Sequence, residues 1–239
     1  MIPLHDDNPV EITPVITISL IVVCTLVFIW QVLLGDQSGQ AIVYSLGVIP
    51  AVLLDRVSLP EQLVLVPAQL TVFTSMFLHG GILHLAGNML YLWIFGNNVE
   101  DAMGHFRFVI FYLLCGIAAV GGQVLQNPDS QIPMIGASGA ISGVLGAYLL
   151  LYPHARVLVA IPLGFILYTV RLSAAWVLGF WFIIQIVSSL LADPGSVGVA
   201  WFAHIGGFAT GMLLIPLFKY RRFPLFHPVR ASKHSHRRI

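Results

Sequence analysis

Within the 239 residues, three short stretches carry side chains whose types and spacing could do chemistry. The first holds His84 and Asn88, the second is "IGASGAISG" around Ser138, and the third is "AHIGGFATG" with His204. A serine hydroxyl becomes a useful nucleophile when a neighbouring base takes its proton, and histidine is the commonest base. Attack on a carbonyl builds an oxyanion, which needs donors fixed in advance. His84 and Asn88 carry side-chain N–H groups, and the start of the apolar segment 137–153 adds the backbone N–H of Ser138. No Asp or Glu accompanies the set, because Glu100 and Asp101 fall at the opposite end of the segment that carries His84. The expected machinery is therefore a Ser138–His204 dyad that hydrolyses an acyl bond.

Each piece alone has a plainer explanation. G-x-S-G in an apolar helix is a common packing motif, and it is not the G-x-S-x-G elbow of soluble hydrolases, since position 140 is Ala. His79, His84 and His204 could suggest a metal, but H-E-x-x-H is absent and no carboxylate lies near them. No metal and no cofactor is expected. Gly96, Glu100 and Gly104 make a stripe at four-residue spacing, which reads best as a helix-end charge. Cys24 and Cys115 sit in apolar runs and read as small core residues without a disulfide.

The elements that must position these residues follow from composition. The chain is 58% hydrophobic and 9% charged, with mean hydropathy +0.91. A soluble domain carries about a quarter charged residues, so the solvent here is a bilayer. The opening "MIPLHDDNPVEI" carries Asp6, Asp7 and Glu11 without Lys or Arg, unlike a secretory signal. A crossing needs roughly 20 mainly apolar residues. Six segments qualify: 14–35, 82–99, 106–126, 137–153, 173–192 and 200–218. The stretch 157–170, split by Pro162 and Gly164, reads as an interfacial loop rather than a seventh span. With six spans and both termini inside, ten of the eleven Lys and Arg lie on the cytoplasmic side, and only Arg56 lies outside. The loop 36–81 is expected to lie in the outer leaflet. Residues 1–220 form one membrane domain, and 221–239 a basic tail.

That parity makes depth informative. Spans two, four and six run from outside to inside, and each carries its polar residues in its first two turns. At about 1.5 Å per residue, all lie within roughly 10 Å of the outer helix ends. Ser138, Ser142 and Gly146 form a small-residue stripe on span four, and His204, Gly207 and Gly211 share a face of span six. Small residues let helix backbones approach closely in lipid, which is what a serine and a histidine need to meet.

With these residues in view, the sequence resembles the rhomboid intramembrane serine proteases of the prokaryotic six-helix type. The matching pieces are "FLHGGILHLAGNMLYLWIFGNNVEDAMG" (77–104), "GASGAISG" (136–143) and "AHIGGFATG" (203–211). The resemblance implies an all-α six-span bundle with Ser138 as nucleophile and His204 as general base. It implies His84 and Asn88 as oxyanion donors, and structural places for His79, Glu100, Gly136, Gly139, Gly207 and Gly211. The substrates implied are single-span or multi-span membrane proteins cut near their outer ends, in a prokaryotic plasma membrane; nucleic acid is not a partner. The sequence departs from some members at Leu70-Thr71, where they carry Trp-Arg. It departs again at Ser142, where they carry a Tyr beneath the histidine ring, so some other side chain must support His204. The alternatives are a non-catalytic rhomboid-like factor that binds client helices, and a proton-coupled transporter. Retention of both Ser138 and His204 argues against the former, and the absence of an internal inverted repeat against the latter.

Overall fold

The computed structural model describes residues 1–164, 166–192 and 198–226. In chain order, strand β1 (Ile2–Asp6) precedes the long helix α1 (Val15–Leu33). The loop expected at 36–81 is largely helical: α2 (Gly35–Leu46), α3 (Pro50–Leu53) and α4 (Ala68–Thr74), with short 3-10 turns at Glu61–Leu63 and Ser75–Phe77. Then come α5 (Ile82–Tyr91), a π-helical turn at Leu92–Gly96, and α6 (Asn97–Met103). The rest comprises α7 (His105–Gln126), α8 (Ser138–Leu151), strands β2 (Arg156–Leu163) and β3 (Ile166–Ser173), α9 (Ala174–Leu191) and α10 (Trp201–Phe218).

Among the described residues four helices, α1, α7, α9 and α10, are long and apolar enough to cross a membrane. A fifth crossing follows if Glu61–Phe77 and Ile82–Met103, bent by 80°, are taken as one broken span. Helix α8 has fourteen residues, about 21 Å of rise, which is short of a bilayer core of about 30 Å. By length and composition the described residues thus hold four or five candidate spans, and α8 is the shorter apolar helix that separates this number from the six read from hydropathy. The reason is visible in the packing. Ala140 to Tyr148 of α8 are all buried, so this helix is wrapped by its neighbours, chiefly α7 and α10, and is not facing lipid. Without a hydrophobic drive between helices in lipid, such a core holds by close packing. Phe95, Phe108, Phe111, Tyr112 and Tyr148 fill it. Cys24 and Cys115 are buried and free.

The expectation of an all-α chain is corrected by a three-stranded antiparallel sheet in the order β1-β2-β3. The stretch 157–170 is thus a β-hairpin, neither a loop nor a span. "RVLVAIPL" and "ILYTVRLS" are rich in β-branched residues, which favour a pleated surface. Gly164, with φ +61°, supplies the left-handed turn between them. Val157 and Val159 are fully buried. β1 pairs with β2 from Ile2 opposite Ala160 to Asp6 opposite Val157.

One end of the bundle gathers the sheet and both described ends of the chain. Glu100 is fully buried there. Its carboxylate accepts from the backbone N–H groups of Ile16 (2.9 Å) and Thr17 (2.8 Å), from the Thr17 hydroxyl (2.8 Å) and from His105 Nδ1. The stripe charge is therefore a cap, but for α1 and not for its own helix: it satisfies N–H groups that a helix start leaves without partners. Gly96 lets Thr17 come close, since a methyl there would stand 3.2 Å from the Thr17 hydroxyl oxygen. Tyr220 closes the same end by donating its backbone N–H to the Ala102 carbonyl at 2.8 Å. Arg107, Arg156, Arg171, Lys219, Arg221 and Arg222 belong to this end, whereas Arg56 pairs with Asp129 at the other. Of the expected basic tail, 227–239 lies outside the described residues.

Asp6 ends β1 and is 4% exposed, with its Oδ2 accepting from the Tyr148 hydroxyl at 2.6 Å. Burial pushes its carboxyl up from 3.8 to about 6 despite that bond. The docked strand binds the proton more tightly than the undocked one. This group's stabilisation is therefore full below pH 3.8 and is lost as pH rises through about 6. The difference corresponds to about 3 kcal/mol. Protection factors for backbone exchange in β1, taken relative to the intrinsic exchange rate at each pH, are expected to be higher at pH 5 than at pH 7.5, and Asp6→Asn to remove the difference. An unchanged pH dependence in that variant would sink the assignment.

Candidate active site

Ser138 is the first residue of α8, and Gly136 two residues earlier has φ +124°. That conformation favours glycine, and space demands it too: a methyl at Gly136 would stand 2.8 Å from both Cε1 and Nε2 of His84. Only a glycine lets the His84 ring lie against the start of α8. The Gly136 N–H is held by the Ser75 carbonyl at 2.9 Å, which fixes the entry into the helix.

α8 and α10 meet backbone to backbone. A methyl on Gly207 would overlap the Gly139 carbonyl oxygen, one on Gly211 the Gly143 carbonyl oxygen, and one on Gly146 the Phe208 carbonyl oxygen. Gly139 itself faces α7, where its methyl would stand 2.6 Å from Ala119 Cβ. The contact runs along Gly139, Ser142, Gly143 and Gly146, a wider face than the Ser138–Ser142–Gly146 stripe expected. Ser142 turns its hydroxyl back to the Ser138 carbonyl at 2.6 Å.

This approach brings His204 Nε2 to 2.9 Å from Ser138 Oγ. His204 is 9% exposed, and Ser138 is half-buried. The position at which the family resemblance implies a Tyr is Ser142 here, and the histidine is supported instead from α9 and from its own helix. The Trp181 ring lies 5.8 Å from the His204 ring at a 34° tilt, and Trp201 meets it edge-on at 6.3 Å. His204 Nδ1 lies 2.8 Å from Oε1 of Gln185, a buried residue of α9. The sequence reading missed Gln185. Its signal is nevertheless in the chain: Gln185 stands six residues from the end of α9, about 9 Å, which is the depth of the rest of the set.

His84 and Asn88 lie on α5 facing the same point. His84 Nδ1 accepts the Gly80 N–H at 3.3 Å, so Nε2, the atom beside Gly136, carries the ring proton. Asn88 is 8% exposed and its Nδ2 has no acceptor among the described residues. A buried donor left open costs about 1–3 kcal/mol, an arrangement typical of a site that awaits a ligand oxygen. The first N–H groups of α8 are likewise without intrahelical acceptors. His79, 2% exposed, stands one step away: its ring packs edge-on to His84 at 5.2 Å, and its backbone N–H donates to Gln31 Oε1 at 3.1 Å. It ties the bend before α5 to the C-terminal end of α1. Glu100 is at the opposite end of the bundle and takes no part in the site.

The arrangement brings the Ser138 hydroxyl, the His204 imidazole and the open Asn88 donor together between α5, α8 and α10. Residues 67–221 match the Rhomboid domain family, a stretch that includes every candidate residue above. RHOMBOID-like protein 6, mitochondrial, of Arabidopsis thaliana is 37% identical over 142 residues, covering 59% of this chain and 41% of that protein. Rhomboid protein 1, mitochondrial, of Saccharomyces cerevisiae is 30% identical over 158 residues, covering 62% and 41%. Rhomboid protease GluP of Bacillus subtilis is 47% identical over 76 residues, covering 32% and 14%. The chain spans no more than 41% of the length of any of these three.

Proposed function

The chain belongs to the rhomboid family of multi-pass membrane proteins, and from that premise we propose that it is an intramembrane serine endopeptidase. It cuts transmembrane protein substrates, single-span or multi-span, near their outer ends. The observation that carries this reading is the 2.9 Å contact between Ser138 Oγ and His204 Nε2. Ser138 passes its proton to His204 as its oxygen attacks the scissile carbonyl carbon. The carbonyl oxygen takes the negative charge and is received by Asn88 Nδ2, His84 Nε2 and the N–H groups at the start of α8. Collapse expels the amine, which takes the proton from His204. Water, deprotonated by the same imidazole, then hydrolyses the acyl-serine and restores the hydroxyl.

We assign six crossings, with α8 the short one and Ser138 at its recessed outer end. The end bearing the sheet and six of the basic residues faces the cytoplasm, in line with positive-inside orientation. A prokaryotic plasma membrane is the compartment assigned, and the 47% identity to the Bacillus protein supports that type.

Labelling by a serine-directed fluorophosphonate tests the reading. The parent chain in detergent is expected to label at Ser138, and His204→Ala to abolish the label. A parent that folds but takes no label would favour a client-binding role instead. Asn88→Ala removes one oxyanion donor, and kcat for a single-span substrate is expected to fall by about 10²- to 10³-fold. KM is expected to change little, because the donor acts on charge that develops after binding. Steady-state cleavage in detergent checks this.

A further inference from the structure

We infer that Gln185 is a positioning residue that sets the tautomer of His204, extending the dyad to a hydrogen-bonded Ser138–His204–Gln185 chain; the inference rests on the proteolytic reading above. An amide can face a neighbour through its oxygen or its nitrogen, and the two are told apart only by their partners. Here the partner is decisive. Gln185 Nε2 lies 3.1 Å from the backbone carbonyl of Trp181, one turn earlier on α9. A carbonyl only accepts, so the amide nitrogen must face it and the amide oxygen must face His204. That oxygen lies 2.8 Å from Nδ1. An amide oxygen also only accepts, so Nδ1 carries the imidazole proton. Nε2 is then left with a lone pair, 2.9 Å from the Ser138 hydroxyl, which is the state a general base requires.

The geometry is rigid at each link. Gln185 is 4% exposed and His204 9%, so water does not compete freely for either bond. Trp181 serves twice, with its carbonyl holding the amide and its ring lying against the imidazole. In a triad the corresponding place is held by a carboxylate, which orients the ring and stabilises the imidazolium. An uncharged amide can do the former at much lower cost in a membrane interior, where an ionised side chain is expensive. As His204 takes the Ser138 proton, the developing imidazolium keeps its Nδ1–H bonded to the amide dipole.

The test uses Gln185→Met, which keeps the length and loses the acceptor, and Gln185→Glu, which restores an oxygen facing Nδ1. In the full chain in detergent, Gln185→Met is expected to lower kcat roughly 10- to 100-fold, part of what a general base contributes, at unchanged KM and melting temperature. Gln185→Glu is expected to recover at least tenfold of that loss. Nitrogen-15 NMR of the labelled histidine is expected to show Nδ1 protonated in the parent and a tautomer mixture in Gln185→Met. A parent with Nε2 protonated, or a Gln185→Met chain with kcat within threefold of the parent, overturns the inference. The tautomer is read without turnover, so a parent lacking fluorophosphonate labelling would defeat the proteolytic reading separately from this one.

Discussion

Ser138→Ala is expected to lower cleavage of a single-span substrate by on the order of 10⁴-fold or more while leaving the fold intact. The side chain is half-buried at the first position of α8, next to the fully buried Ala137 and two residues before the fully buried Ala140. Loss of its oxygen removes one hydrogen bond, to His204, and leaves no overlap or large cavity. Melting temperature is therefore expected to stay close to the parent value. His204→Ala should lose a similar factor, because neither residue can activate the hydroxyl alone. The double variant should be no slower than the single ones, since groups that act as a unit are not additive. Single-turnover cleavage in detergent, with purified variants at matched helix content, gives all three values. Parent-like turnover in either single variant would remove the dyad from consideration.

Gly207→Ala carries the second large effect, through geometry and not chemistry. Gly207 lies on α10 one turn after His204. Its added methyl would overlap the Gly139 carbonyl oxygen, stand 3.1 Å from that carbonyl carbon and meet Ser142 Cβ at 3.4 Å. Backbone cannot yield as a flexible side chain would, so α10 must retreat from α8. Overpacking of this kind costs about 1–3 kcal/mol. A displacement of about 1 Å between reacting groups can cost about 10²-fold in rate, and the displaced residue here is the base itself. The expected result is a kcat lower by about two orders of magnitude with a lowered melting temperature. Gly179→Ala on α9 is the control: a methyl there meets no atom within 4 Å, and both quantities should stay near the parent's. Equal behaviour of the two variants would mean that the α8–α10 contact does not set the site.

Much of this was legible in the chain itself. A composition with so little charge fixes the bilayer as solvent, and glycine spacing on two apolar segments marks the faces that can touch. Ser138, His204, His84 and Asn88 announce themselves because polar groups in hydrocarbon are few. Glu100 was legible as a helix-end charge, but the helix it caps, α1, lies 83 residues earlier in the chain. Gln185 carried the same signal of a polar group at matching depth. It lies on α9, whose chain direction is opposite to that of α8 and α10, so it reaches the level of Ser138 from the end of its helix and not from the start.

Periodicity and composition are properties of neighbouring residues, so they determined the solvent, the long apolar helices, their small-residue faces and the candidate serine and histidine. They could not determine the sheet, because β1 and β2 are separated by most of the chain and pair only where folding brings their edges together. Nor could they determine the state of the histidine. Which nitrogen of His204 holds the proton depends on the orientation of one amide, and that orientation on a carbonyl of a third helix. Such choices belong to hydrogen-bond partners that meet across the bundle, and only the tertiary structure decides them.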